Sequence, residues 1–182
     1  GMAARNGLDG SDAITHTLLD LTSDFDETVW WIVEEFGRGI FVGKSLSSLD
    51  QDIYGRIGKR SYLHTHAPGK AILANSSDEY VHRVIDHHGL PAHTSATITD
   101  ADNLLADLET IRERGYARSE GEAAHGVNSL GLAFDGPNGS THALGLFRYT
   151  HGLGDSNPEA NLLPVLEDAV AEITRALEQE AP

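Results

Sequence analysis

The chain contains no cysteine, and its 182 residues include only one methionine, two tryptophans and three lysines, at positions 44, 59 and 70. Without thiols there is no disulfide scaffold, no thiolate nucleophile and no Cys-ligated zinc or iron–sulfur site. Positive charge is scarce: 13 basic residues, mostly arginine, stand against 28 acidic ones, for a formal charge of −15. A surface this acidic repels phosphate, which excludes the chain by itself as a DNA or RNA binder. Long apolar runs are also missing, and none approaches the roughly 18 to 20 residues a membrane span needs. The start is small and polar with no apolar core of a signal peptide, so the expected location is the cytoplasm. Gly1-Met2 reads as a tag remnant before a start codon. Residues 1–10 read as a flexible tail and 11–182 as one domain, long enough to bury a core of its own.

What is present is the composition of a folded protein, 40% hydrophobic and 23% charged. The carboxylates are dispersed along the whole length, as in Glu34/Glu35, Asp50/Asp52, Asp78/Glu79, Glu120/Glu122 and Glu167/Asp168. A binding patch would concentrate them. Dispersed acid with little lysine suits a salt-rich cytoplasm, where molar salt shortens the Debye length to about 3 Å and quenches self-repulsion. The expectation is a halophilic source.

Apolar periodicity and capping residues lay out the elements. Ser11 or Asp12 caps a helix with Ile14, Leu18, Leu19 and Leu21 on one side. Residues 27–34 are β-branched and aromatic and read as a strand; Gly37–Gly39 is a turn, and a partner strand opens at Ile40. A further strand is expected near Ile53-Tyr54. Three helices follow: Pro68–Ala74, one after the capping-box pattern Ser76-x-x-Glu79, and one capped by Thr99 or Asp100 and stopped by Gly115. Strands return at 116–119, 127–134 and 141–149, the last two joined by the turn Asp135–Gly139. A closing helix from about Pro158 aligns Leu166, Val170, Ile173 and Leu177. Strands, then helices, then strands and a helix is an α+β order with an antiparallel sheet.

Several motifs fail on inspection. Gly43-Lys44-Ser45 suggests a phosphate loop, but the pattern needs a glycine where Arg38 stands, and the segment reads as a strand. Ten histidines are many for this length. His64-x-His66, if extended, would present two imidazoles on one face and could ligate a metal in a hydrolase-like enzyme. The plainer reading is scattered polar histidines, and no cofactor is called for.

Four short segments in fixed order carry more. His64-Thr-His-Ala-Pro-Gly-Lys-Ala-Ile-Leu-Ala74 precedes Gly89-Leu-Pro91 with Thr94 and Thr97-Ile98; then come Ile111-Arg112 with Gly115-Tyr116-Ala117, and Glu122 with Gly126-Val127. Together they resemble the C-terminal effector-binding domain of IclR-type transcription regulators, from about residue 14 to the end. The resemblance implies a GAF-like α+β fold, a curved antiparallel sheet flanked by helices, with a small-molecule pocket under the concave face. It implies no enzyme, a homodimer or tetramer, and DNA contact only through a helix-turn-helix module that this chain does not include. Matched residue by residue, the ligand-binding positions are Ile53, Ala67, Pro68, Gly69, Lys70, Ser119, Val127, Ser129, Gly145 and Phe147. The family's aspartate becomes Ser119 and its two inward serines become Gly145 and Phe147. That makes the pocket less polar, and points to a larger apolar or aromatic acid anchored at the start of the Pro68 helix. The metal alternative rests on His64 and His66.

Overall fold

The computed structural model describes residues 12–20, 27–45, 54–149 and 158–180. Six strands, β1 (Val29–Glu35), β2 (Arg38–Lys44), β3 (Arg60–Tyr62), β4 (Ala117–Glu120), β5 (Val127–Asp135) and β6 (Thr141–Tyr149), form one sheet in the order β3-β2-β1-β6-β5-β4. Every neighbouring pair is antiparallel. The helices are α1 (residues 12–20), α2 (Ala67–Ala74), α3 (Asp78–His88), α4 (Ala101–Arg114) and α5 (Pro158–Glu180). The result is a curled, GAF-like α+β half-barrel.

Side chains alternate across a strand, so each strand feeds two cores. On one face Trp30 and Ile32 of β1, Phe41 of β2, Val127 of β5 and Phe147 of β6 pack with Ile72, Leu104 and Leu108 of α2 and α4. On the other, Val29 and Trp31, Leu130, Leu132 and Phe134, and Leu144 and Leu146 pack against Ile14 and Leu18 of α1 and Leu162, Leu166 and Ile173 of α5. Consecutive tryptophans thus enter opposite layers. Trp31 donates its indole N–H to His142 Nδ1 at 2.8 Å, and the His142 ring lies within 17° of parallel to Trp31 and 24° of parallel to Phe134.

Helix α2 is held against the sheet by missing side chains. Gly131 and Gly145 are register partners on β5 and β6, directly beneath Pro68. A Cβ on Gly145 would stand 2.5 Å from the Pro68 ring, and one on Gly131 would overlap the backbone of Ala67 and Pro68. At its other end Arg112 of α4 donates from Nε to Ala74 O at 2.8 Å and from Nη2 to Ser76 O at 3.1 Å, satisfying carbonyls that end the helix.

Several local expectations are corrected. Leu19 is 43% exposed and lies off the face shared by Ile14 and Leu18; Leu21 and Ile53 lie outside the described residues. The turn of the first hairpin is Phe36-Gly37, both at positive φ, so β2 starts at Arg38. Tyr54 has φ +69° and is no strand residue; the third strand is the three-residue β3. The cap of α3 is Ser77, accepting from Tyr80 N at 3.2 Å, while Ser76 turns back to donate to Ile72 O. Asp100 caps α4 as expected, and Gly115 ends it at φ +90°.

Candidate functional site

The site is built where α2 begins over the face of the sheet that carries Trp30, Phe41 and Phe147. His66 is its N-cap and is fully buried. Gly69 N–H donates to His66 Nδ1 at 3.0 Å, so the ring proton sits on Nε2, which donates to Ser61 Oγ at 2.7 Å. Ser61 in turn donates to Gly39 O on β2. Burial, assisted by the charge of Lys59, pushes the His66 pKa down to about 3, so the ring is neutral.

Around that imidazole stands an aromatic cluster. Phe41, Tyr54 and Phe147 each place a ring centroid 5.8–5.9 Å from His66. Tyr54 stacks on Phe147 at 5.3 Å, and Trp30 meets Phe41 edge-on. On the β4 side the wall turns polar. Ser119 and Ser129 are register partners, and Ser129 is the register partner of Phe147. Ser129 Oγ accepts from Ala67 N at 3.0 Å; Ser119 Oγ is buried and has no partner among the described residues. Trp30 Nε1 is likewise buried without one.

The matched positions therefore divide. Ala67, Pro68, Gly69, Ser119, Val127, Ser129, Gly145 and Phe147 converge on the α2 start and the strands under it, all buried. Their donors are less available than the sequence implied. Ala67 N–H goes to Ser129, Pro68 has none, Gly69 N–H goes to His66 and Lys70 N–H to His66 O at 2.9 Å. The first turn of α2 has thus spent its amides on its own neighbours. Lys70, 2% exposed, reaches Asp107 Oδ2 at 2.7 Å and Glu122 Oε1 at 3.0 Å. That triad lines an open cleft of about 530 Å³ together with Ala96, Ile98, Arg114, Arg118 and Glu120. Its three cations and three carboxylates balance.

His64 and His66 do not share a face, because the chain between β3 and α2 coils into a single 3-10 turn, Leu63–Thr65. His64 donates from Nε2 to Pro91 O at 3.0 Å, and burial lowers its pKa. Among the described residues no three His, Cys, Asp or Glu side chains gather as a metal site. Sequence reasoning missed Trp30, Phe41, Tyr54 and Lys59 as parts of the site. The only signals for them were the aromatic strands and the rarity of lysine.

Residues 6–175 match the family model for the C-terminal region of the bacterial transcriptional regulator IclR. The chain belongs to the IclR family. It corresponds to that family's effector-binding domain. Among curated relatives, the HTH-type transcriptional regulator XynR of Escherichia coli is 27% identical over 141 residues, which are 77% of this chain and 56% of XynR. The chain thus spans about half the length of that relative. The solved C-terminal domain of the E. coli regulator KdgR superposes with a TM-score of 0.80 at 20% identity, covering 93% of this chain and 98% of the other. The inducer-binding domain of PobR from Acinetobacter, a double mutant solved with 3-hydroxybenzoic acid, gives a TM-score of 0.79 at 23% identity, covering 89% and 95%. These relatives are transcription regulators and not enzymes, which sets the hydrolase reading aside. Among the described residues no helix is long and apolar enough to cross a membrane.

Proposed function

We propose that this domain senses a small organic acid with an apolar or aromatic body, bound beside the start of α2 over the strands that carry Ser119, Ser129 and Phe147. The observation that carries the reading is the buried hydroxyl of Ser119, without a partner among the described residues, in register with Ser129 and through it with Phe147 of the aromatic cluster. A buried polar group without a partner costs about 1–3 kcal/mol, and a ligand oxygen removes that cost. The acid-binding PobR domain, of the same fold, supports an aromatic acid as the class. Ala67, Pro68, Gly69, Ser119, Val127, Ser129, Gly145 and Phe147 form the proposed lining, with Ile53 as its matched apolar position. Lys70 ties α2 to Asp107 of α4 and to Glu122 after β4.

The whole regulator would act in the cytoplasm as a homodimer or tetramer. Effector binding would favour one quaternary arrangement and, through a helix-turn-helix module, change affinity for DNA. A thermal-shift panel of small organic acids, with light scattering on each hit, tests the reading. A true effector at 100 times its Kd stabilises the fold by about 2.7 kcal/mol and shifts the mass distribution. Stoichiometric bound metal with no response to any acid would sink it.

A further inference from the structure

The three lysines of this acidic chain all lie around the candidate site. Lys70 is spent on Asp107 and Glu122. Lys44 lies 5.7 Å from the Trp30 ring centroid. Lys59, on the turn before β3, sets its Nζ 3.4 Å from the centroid of Tyr54 and 5.8 Å from that of Phe41. Those two rings are the ones that touch His66 and Phe147, so the ammonium rests on the rim of the aromatic cluster. One of its three N–H donors goes to Tyr54 O at 2.7 Å. Among the described residues no carboxylate pairs with it. Arg56 adds a second positive charge on the same turn, its carbonyl accepting from Lys59 N at 3.0 Å.

Ser119 Oγ and Trp30 Nε1 can offer an acid only neutral donors; a carboxylate also needs a cation or a backbone N–H, and the nearest of those are committed. The α2 amides serve Ser129 and His66, Lys70 serves two carboxylates, and the cleft beside Lys70 has no excess of positive charge. His66 is neutral and donates to Ser61. What remains at the aromatic rim is a half-buried ammonium on a flexible stem, with two donors that no described residue accepts. In a domain of charge −15, that cation is the local reversal of field that a free carboxylate would follow.

Resting on the effector reading above, we propose that Lys59 selects carboxylate ligands, its ammonium pairing with the acid group while the apolar body contacts the aromatic cluster. A charge-assisted hydrogen bond in a partly desolvated site is worth about 10- to 100-fold in affinity. Lysine suits the role because its stem can swing from the Tyr54 ring toward a ligand without moving the backbone.

The test is calorimetric titration of the domain with matched pairs: benzoate and benzamide, 3-hydroxybenzoate and 3-hydroxybenzamide, phenylacetate and phenylacetamide. The proteins are wild type, Lys59→Met, Lys59→Arg and, as a neighbouring-charge control, Lys44→Met, each checked for native circular dichroism. The expected result is at least one acid that binds wild type and weakens tenfold or more in Lys59→Met. Its amide should bind both proteins alike, and Lys59→Arg should retain most of the acid affinity. If the acid binds Lys59→Met within twofold of wild type, Lys59 is not the anchor, although the effector site stands. An equal loss for acid and amide would mean that Lys59 only packs, and would also overturn the proposal. If none of the acids binds wild type, an aromatic-acid effector is itself refuted and the anchor falls with it.

Discussion

His66 couples three elements through one neutral ring, and that makes it acid-sensitive. A histidine in the unfolded chain protonates near pH 6.5, whereas folded His66 resists to about pH 3. Between those values the unfolded chain binds a proton that the folded one does not. Stability is therefore complete above pH 6.5 and declines as pH falls toward 3, by at most about 1.4 kcal/mol per pH unit. His142, buried and lowered to about 4, adds a loss of the same sign. Urea midpoints measured from pH 8 to pH 4.5 should fall steadily, and His66→Asn, which keeps an N-cap acceptor, should flatten part of the slope. An unchanged slope in that variant would show that the ring does not titrate as described. Glycine makes the second residue-scale case. Gly131→Ala forces a methyl into the backbone of α2, so it should cost about 1–3 kcal/mol or more, whereas an alanine at Gly139, with open space around it, brings only local φ strain. Equal urea midpoints for the two variants would contradict the close approach.

At the scale of elements, the capping of α3 separates two adjacent serines. Ser77→Ala should cost about 1 kcal/mol, and Ser76→Ala clearly less, because only Ser77 accepts a helix N–H. Chemical denaturation of the two variants checks this, and a larger loss at Ser76 would restore the capping box read from sequence. Lys70→Met tests the tie between α2, α4 and the loop after β4. Removing the buried ammonium leaves two carboxylates that still reach water in the open cleft, so the cost should be about 1–3 kcal/mol, below that of breaking a fully buried pair. The elements themselves were largely legible: α4 from Leu104, Leu108 and Ile111, α5 from its apolar stripe, and β5 and β6 from alternation about a turn. β3 was not, since three residues carry no period. The matched segment around Gly69 pointed to the candidate site, but not to the occupation of its donors. His66 meets its own helix at short range, yet Ser129 lies 62 residues from Ala67 and Glu122 lies 52 from Lys70. No local pattern reports partners that distant.

At the scale of the molecule, charge and layering have different consequences. Carboxylates distributed over nearly every element repel one another in dilute buffer, and molar KCl relieves that repulsion. The melting temperature should rise from low to molar KCl; a fall would contradict adaptation to salt. The layering has an optical consequence. Trp30 and Trp31 are the chain's only indoles, one chain position apart, yet they enter different layers of the fold. Each reports on its own side of the sheet, so Trp31→Phe and Trp30→Phe give two single-colour probes from one protein. A ligand that only fills the aromatic cluster should alter emission from Trp30 alone. A response from Trp31 as well would mean that the sheet has flexed and carried the signal through to the α5 side.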